Sequence, residues 1–333
     1  MRAAVFERSG LDNLQVSELP KPKPGPREVL VRVVESGVNP IDYYTVTSLR
    51  VKPIPHIPGA EFAGIVEEVG EHVEGFSPGD RVVVYSRVFD GTCDMCLASM
   101  EHLCRNGGIV GVVTNGGWAE YATVPSVNLV KLPQNVDWVL AASLPVAALT
   151  SYHALRLAGV KPGELVVVMG ASGNTGQFAV QLAKLMGATV VAVSRKGWVK
   201  ELGADYVTTA DKVIDLVGQV SEGKMADVVV DPLGKETWSI SLRLLGRRGR
   251  LVTFGQLTGG DVQLTIGQLY GIEASIIGST GGTRRELLDL VKMASSGKLK
   301  VKVYREYGLG EVQEALKALM SRDRDGRVML RIQ

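Results

Sequence analysis

The sequence carries almost no net charge: 37 Lys and Arg against 35 Asp and Glu leave +2 over 333 residues. No run of lysine or arginine exceeds two residues. Without a basic patch, a nucleic-acid partner is excluded. Cysteine is scarce, three in all; an odd, small number suits metal ligation or free thiols rather than a disulfide framework. The four histidines, His56, His72, His102 and His153, are scattered, with no spacing of a triad or a ligand pair, and read as structural or exposed. No secretory leader is expected, since MRAAVFERSG has no apolar run of that length before Glu7 and Arg8. The most apolar long stretch, Val136–Leu155, is broken by Asp137, Pro145 and His153, which argues against a membrane span. There are no internal repeats and no low-complexity segments. What these absences leave is a cytoplasmic globular protein, and 45% hydrophobic with 22% charged residues is an ordinary balance for one. A chain of 333 residues exceeds what one hydrophobic core usually supports, so two domains are expected.

What is present is concentrated in Leu165–Lys196. Leu165–Met169 is a continuous apolar run, as in a strand buried on both faces of a parallel sheet. The turn GASGNTG follows, spanning Gly170, Ser172, Gly173, Asn174, Thr175 and Gly176. Gln177–Met186 then has helical apolar spacing, and Thr189–Val193 is a second apolar strand. Strand, glycine turn, helix and strand make the first half of a dinucleotide site, with backbone N–H groups facing a pyrophosphate. The first position of the usual GxGxxG is Ala171, so the context carries the reading more than the glycines do. NAD sites place an acidic residue at the tip of the second strand, on the ribose 2′-OH. Here the tip is Ser194-Arg195-Lys196. A hydroxyl between two cations suits a 2′-phosphate, and NADPH is the expected cofactor.

The flanks differ from this middle. Leu14–Leu19, Glu28–Glu35, Phe62–Val69 and Arg81–Tyr85 read as strands separated by turns. After the dinucleotide unit come strands at Tyr206–Thr209, Ala226–Asp231, Arg250–Phe254 and Ala274–Gly278, completing six for a doubly wound domain. The segment Arg195–Leu202 is short for a crossover helix and is expected to be a single turn. The tail mixes a helix at Arg284–Ser295, a strand at Val301–Tyr304, a helix at Leu309–Met320 and a strand at Arg327–Ile332. Ile276 and Ile277 make the last strand of the sheet too apolar to be left open at an edge.

The motifs PGAEFAGIVEEVG (Pro58–Gly70), PGDRV (Pro78–Val82), GGWAEYATV (Gly116–Val124), AASLPVAALTSYHAL (Ala141–Leu155), GASGNTG and GRLVTFG (Gly249–Gly255) follow one another in an order that resembles the medium-chain dehydrogenase/reductase superfamily over essentially the whole chain. The resemblance implies an α/β fold: a GroES-like β-rich catalytic domain, 1–146 completed by 280–333, with a doubly wound parallel (Rossmann) cofactor domain, 147–279, inserted. It also implies pairing of the edge strand with its two-fold mate, hence a homodimer or homotetramer; the alternative is that the tail around Arg284–Ser295 covers this edge.

Alcohol dehydrogenases of the superfamily hold a catalytic zinc where this chain has Asn39, Ala60 and Val146; only Glu61 remains among potential ligands, and one carboxylate does not make a zinc site. The GVNPID segment looks like the quinone oxidoreductase (zeta-crystallin-like) branch, which lacks that zinc. By this resemblance Asn39 and Tyr44 are the candidates to hold the substrate oxygen, with Tyr43 as the alternative to Tyr44 and Asp42 as an organiser of local backbone. Thr150, Phe254 and Gly255 match positions near the nicotinamide. Arg327 is either a pyrophosphate ligand or a plain surface arginine. The superfamily's structural zinc lobe spaces four ligands by three, three and eight positions, which Asp90, Cys93, Cys96 and Cys104 reproduce. A carboxylate oxygen can complete such a tetrahedron; the alternative is three free thiols. The implied activity is NADPH-dependent reduction of a quinone, an enone or a bulky ketone. Alternatives are an alcohol dehydrogenase-like enzyme on secondary alcohols or ketones, and an NADPH-binding protein with little turnover.

Overall fold

A computed structural model describes all residues, Met1–Gln333. The chain divides into two compact units, Met1–Leu149 with Thr283–Gln333, and Thr150–Gly282. The expected boundaries at 146/147 and 279/280 fall a few residues short of these.

The first unit is organised around one ten-residue strand, Glu28–Gly37. Its alternating Val29, Val31 and Val33 point into a core shared with Phe62, Val66, Val82, Val84, Val124 and Leu129, each such side chain contributing about 1.5–3 kcal/mol by burial. The strand pairs antiparallel with Glu61–Val69, with Tyr121–Pro125 and with the C-terminal Arg327–Arg331. The last of these pairings, Met329 opposite Gly37 and Arg331 opposite Glu35, is what returns the tail to the first unit. The tail strand Val303–Gly308 starts later than the sequence suggested and runs parallel to Arg327–Arg331. The helix expected at Leu309–Met320 opens as a short 3₁₀ turn and is α-helical over Val312–Met320.

A helix at Pro40–Thr47 has no apolar period and escaped the sequence reading. Its local chemistry is nonetheless that of a helix start: Asn39 at the N-cap, Pro40 at the first helical position, and Asp42 at the third, accepting from the Asn39 N–H.

The second unit is a six-stranded parallel sheet. Its strands, numbered within the unit, lie in the order third, second, first, fourth, fifth, sixth: Tyr206–Thr208, Thr189–Val193, Leu165–Met169, Ala226–Asp231, Leu245–Thr253 and Ser275–Gly278. This is the doubly wound order, with its reversal between the first and fourth strands. The fifth strand begins at Leu245, earlier than the expected Arg250. Gly246–Gly249 form an irregular insert there, and Arg247 and Arg248 are pushed into solvent. The short crossover after the second strand is a 3₁₀ helix, Gly197–Leu202. The sixth strand pairs only with the fifth and forms the sheet edge, Ile276 and Ile277 being half-buried. One helical run, Trp138–Leu157, is apolar and long enough to cross a membrane by composition, and 72% of it is buried inside the protein, as in a core helix.

Glu35 on the central strand of the first unit is 2% exposed and its Oε1 has no partner. Burial, reinforced by Glu306 and Asp137 and opposed by Arg331, pushes its carboxyl up to about 8. The folded protein therefore keeps this proton in a range where the unfolded chain, with its carboxyl near 4.5, has lost it. Stability should fall as pH rises from about 4.5 to about 8, by up to about 1.4 kcal/mol per pH unit, and level off above. Urea unfolding of wild type and Glu35→Gln across that window checks this: the variant should show a flatter profile, and parallel profiles would contradict it.

Candidate active site and metal centre

The sequence leaves Glu61 as the one carboxylate at the position of the catalytic zinc, and the structure shows what it does instead. Glu61 is fully buried at the start of its strand. Its Oε1 accepts from the Val146 and Ala147 N–H groups at 2.7 and 2.8 Å. Its Oε2 accepts from Asn39 Nδ2 at 2.7 Å and from Arg327 Nη2 at 2.5 Å. A carboxylate offers about four lone-pair directions, and these four donors fill them. The Val146 and Ala147 N–H groups that bind it lie in a π-helical turn, Leu144–Ala148. A cation held on this carboxylate would also sit against the Arg327 guanidinium. The donor set does not fit a catalytic zinc.

Arg327 is fully buried, so it is not the plain surface arginine that was one of its two readings. Its Nε and Nη1 have no partner. Room for the pair exists because residue 37 is glycine: a Cβ there would lie 2.3 Å from Arg327 Nη2 and 2.5 Å from Glu61 Oε2.

Asn39 is 2% exposed, with its amide bonded to Glu61. Asp42 accepts from the Asn39 and Ala60 N–H groups at 2.8 and 2.9 Å, tying the helix start to residue 60. Burial pushes its carboxyl up to about 7 against those two donors. Tyr43 packs on the core cluster that includes Val38 and Val46. Tyr44 stands edge-on to it, ring centroids 5.9 Å apart, half-buried and outside that cluster. Among the histidines, His56 is buried with Nε2 2.8 Å from the Gly111 carbonyl.

In the second unit the glycine turn crosses at the reversal of strand order. A Cβ on Gly176 would lie 2.2 Å from the Gly170 carbonyl, so only glycine lets the helix Gly176–Leu185 start this close to the strand end. That leaves a backbone cradle over Gly170, Ser172, Gly173, Asn174 and Thr175, of which Asn174 is buried and Ser172 and Thr175 are half-buried. Such a cradle fits a pyrophosphate. Thr150 is half-buried at the start of the unit, and the neighbouring Ser151 hydroxyl donates to the Thr175 carbonyl. Ser194 follows directly on the second strand; its hydroxyl accepts from the Lys196 N–H at 3.0 Å, Arg195 is exposed and Lys196 half-buried. Beyond the fourth and fifth strands lies a cavity of about 470 Å³, lined by Trp238, Thr253, Phe254, Gly255 and Gln256 among others. The turn into it is fixed by buried Asp231, which accepts from the Leu233 N–H and the Thr237 and Ser241 hydroxyls. Sequence reasoning missed Asp231, which sits in an apolar strand pattern with no local signal.

The cysteine lobe belongs to the first unit. The ligand atoms of Asp90, Cys93, Cys96 and Cys104 all lie within 4.8 Å of one another. Cys93 Sγ is 3.6 Å from Cys96 Sγ and 3.8 Å from Cys104 Sγ. A tetrahedron with Zn–S of about 2.3 Å has edges of about 3.8 Å, so these spacings fit zinc. The Cys93 N–H, the Asn106 amide and the Thr92 N–H hold the Asp90 carboxyl well below the usual carboxylate range, in the charged form a metal needs.

Two family models match the chain: Alcohol dehydrogenase GroES-like domain over residues 25–134 and Zinc-binding dehydrogenase over 175–296. A solved thermostable alcohol dehydrogenase from Pyrobaculum aerophilum, described as cobalt and zinc bound, is 44% identical with a TM-score of 0.94, covering 100% of this chain and 99% of that one. An NAD-dependent alcohol dehydrogenase of Sulfolobus acidocaldarius is 32% identical over 100% of both chains. An acryloyl-coenzyme A reductase of Metallosphaera sedula is 33% identical over 98% of this chain and 99% of its own length. These names are those of alcohol dehydrogenases and an acryloyl-coenzyme A reductase, and do not specifically favour the quinone oxidoreductase branch expected from GVNPID. The chain belongs to the medium-chain dehydrogenase/reductase superfamily of oxidoreductases, with an alcohol dehydrogenase GroES-like domain and a zinc-binding dehydrogenase domain.

Proposed function

We propose that this protein is an NADPH-dependent oxidoreductase of the alcohol dehydrogenase kind, interconverting a ketone and a secondary alcohol with no metal at the reacting oxygen. The relatives named alcohol dehydrogenase support an alcohol as the reduced substrate. The observation that carries the metal-free reading is the saturation of Glu61 by Asn39, Arg327, Val146 and Ala147. When bound, the nicotinamide supplies the hydride. The chain's part is to hold the oxygen and handle its proton. Tyr44, half-buried and outside the core cluster, is the phenol assigned to donate to the substrate oxygen. Asn39, buried with its amide donated to Glu61, holds that carboxylate in place. Ser194, Arg195 and Lys196 take the 2′-phosphate, whereas Arg327, fully buried against Glu61, serves that carboxylate.

A second reading, reduction of a quinone, an enone or an enoyl thioester, is favoured by the same lack of a Lewis acid and by the acryloyl-coenzyme A reductase relative. In conjugate addition hydride goes to the β carbon and the oxygen is stabilised by hydrogen bonding alone. Purified protein with NADPH, or with NADP⁺ for alcohols, is assayed by nicotinamide absorbance on ketones, secondary alcohols, quinones, enones and enoyl thioesters. Turnover of ketones and alcohols is expected. Turnover confined to conjugated acceptors would transfer the assignment to the second reading, and none at all would leave a cofactor-binding protein.

We also propose a homodimer, or a homotetramer built from two such dimers, in which the edge strand Ser275–Gly278 pairs with its two-fold mate. Light scattering should give at least twice 35.7 kDa, and a mass near 35.7 kDa would reject the pairing. Ile277→Lys should shift the mass toward the monomer.

A further inference from the structure

The metal lobe differs from an all-cysteine site in one donor, Asp90, and that donor needs a restraint that a thiolate does not. A thiolate presents one atom, whereas a carboxylate can rotate and offer either oxygen. The lobe closes both options. Asp90 Oδ1 accepts from the Thr92 N–H at 2.8 Å and the Cys93 N–H at 3.0 Å. Asp90 Oδ2 accepts from Asn106 Nδ2 at 2.5 Å. Three of about four lone-pair directions are thereby used, and the remaining one lies on Oδ2, the oxygen that Asn106 holds.

The three residues 104–106 divide the work. Cys104 supplies a ligand, and its Sγ accepts from the Asp90 N–H at 3.3 Å. Arg105 makes a two-pronged ion pair with Asp94, at 2.6 and 2.7 Å, on the turn between Cys93 and Cys96. Asn106 clips the carboxylate.

We propose that Asn106 is the positioning residue that makes Asp90 a one-oxygen metal ligand, so that the lobe's grip on zinc depends on an amide outside the ligand set. This rests on the reading of the lobe as a zinc site. Outer hydrogen-bond partners of metal ligands are worth about 10–100-fold in metal affinity, and the exposed position of Asn106 puts its effect near the lower bound.

The test uses the full chain loaded with zinc and follows metal transfer to a colorimetric chelator, together with zinc content after buffer exchange and the melting point of the metal-free protein. Asn106→Ala should release zinc about tenfold faster than wild type, with the metal-free melting point unchanged. Asn106→Asp, which loses the donor and adds a like charge, should release at least as fast. In an Asp90→Cys background, where no carboxylate needs orienting, Asn106→Ala should alter release by less than about twofold. Release from Asn106→Ala at the wild-type rate, or equal acceleration with and without Asp90, overturns the proposal while leaving the zinc site intact. A wild-type protein that keeps no zinc overturns the zinc reading itself, and the proposal with it.

Discussion

Glu61→Ala should lower the stability of the first unit by about 3–5 kcal/mol, the cost of leaving one member of a buried ion pair alone. Glu61 and Arg327 are both fully buried. Removing the carboxylate strands the Arg327 charge and takes from the Val146 N–H, the Ala147 N–H and the Asn39 amide the hydrogen bond each donates to it. Arg327→Met alone should be destabilising too, since it strands Glu61. The double variant Glu61→Gln with Arg327→Met removes both charges, and should recover part of the loss, because a buried pair exchanged for neutral groups of similar volume is often tolerated. Urea midpoints of the four proteins decide the matter. A Glu61→Ala protein within about 1 kcal/mol of wild type would mean that the cluster is hydrated and that the carboxylate is free for other work, including a metal.

Ser194→Asp should reverse the cofactor preference. A 2′-phosphate gains hydrogen bonds to charged groups from Arg195 and Lys196, each worth about 1.5–3 kcal/mol when well placed. The exposure of Arg195 reduces its share. An aspartate at the tip would repel that phosphate and accept from the ribose hydroxyl of NADH instead. Fluorescence titration of both cofactors is expected to show NADPH bound at least about tenfold more tightly by wild type, and NADH favoured by the variant. Equal or tighter NADH binding by the wild-type protein would remove the basic tip from the specificity argument and bring this chain into line with the relative named NAD-dependent.

Much of the fold could be read from the chain because its signals are local. The five-residue apolar run Leu165–Met169, the glycine turn and the amphipathic helix after it are each decided by residues within one turn or one strand, and the strand at Thr189–Val193 falls where its alternation ends. The cysteine lobe was legible through the resemblance: its four candidate ligands lie within 15 residues, from Asp90 to Cys104, at the gaps of the superfamily's zinc lobe, and the structure brings their ligand atoms together. Helix Pro40–Thr47 was hidden because its sequence has no apolar period, and only its cap chemistry marks it. The insert in the fifth strand was hidden because Gly246–Gly249 have no apolar pattern, while pairing to the neighbouring strand begins at Leu245 and resumes at Arg250 beyond them.

The sequence by itself determined two domains and a dinucleotide-type sheet with a basic tip, and its resemblance to the superfamily implied a four-ligand lobe and the loss of the usual catalytic zinc ligands. Only the tertiary structure decided what surrounds the retained Glu61. Asn39, Glu61, the Val146–Ala147 turn and Arg327 come from four separate parts of the chain, and Arg327 is 266 residues from its partner. No local pattern can show that a lone retained glutamate is saturated by donors, or that an arginine in a C-terminal strand is buried against it. The register of that strand on Glu28–Gly37 puts the guanidinium there, and the missing side chain at Gly37 leaves it room. Long-range pairing of charges is a property of packing, because a buried ion is tolerable only where the fold delivers its partner.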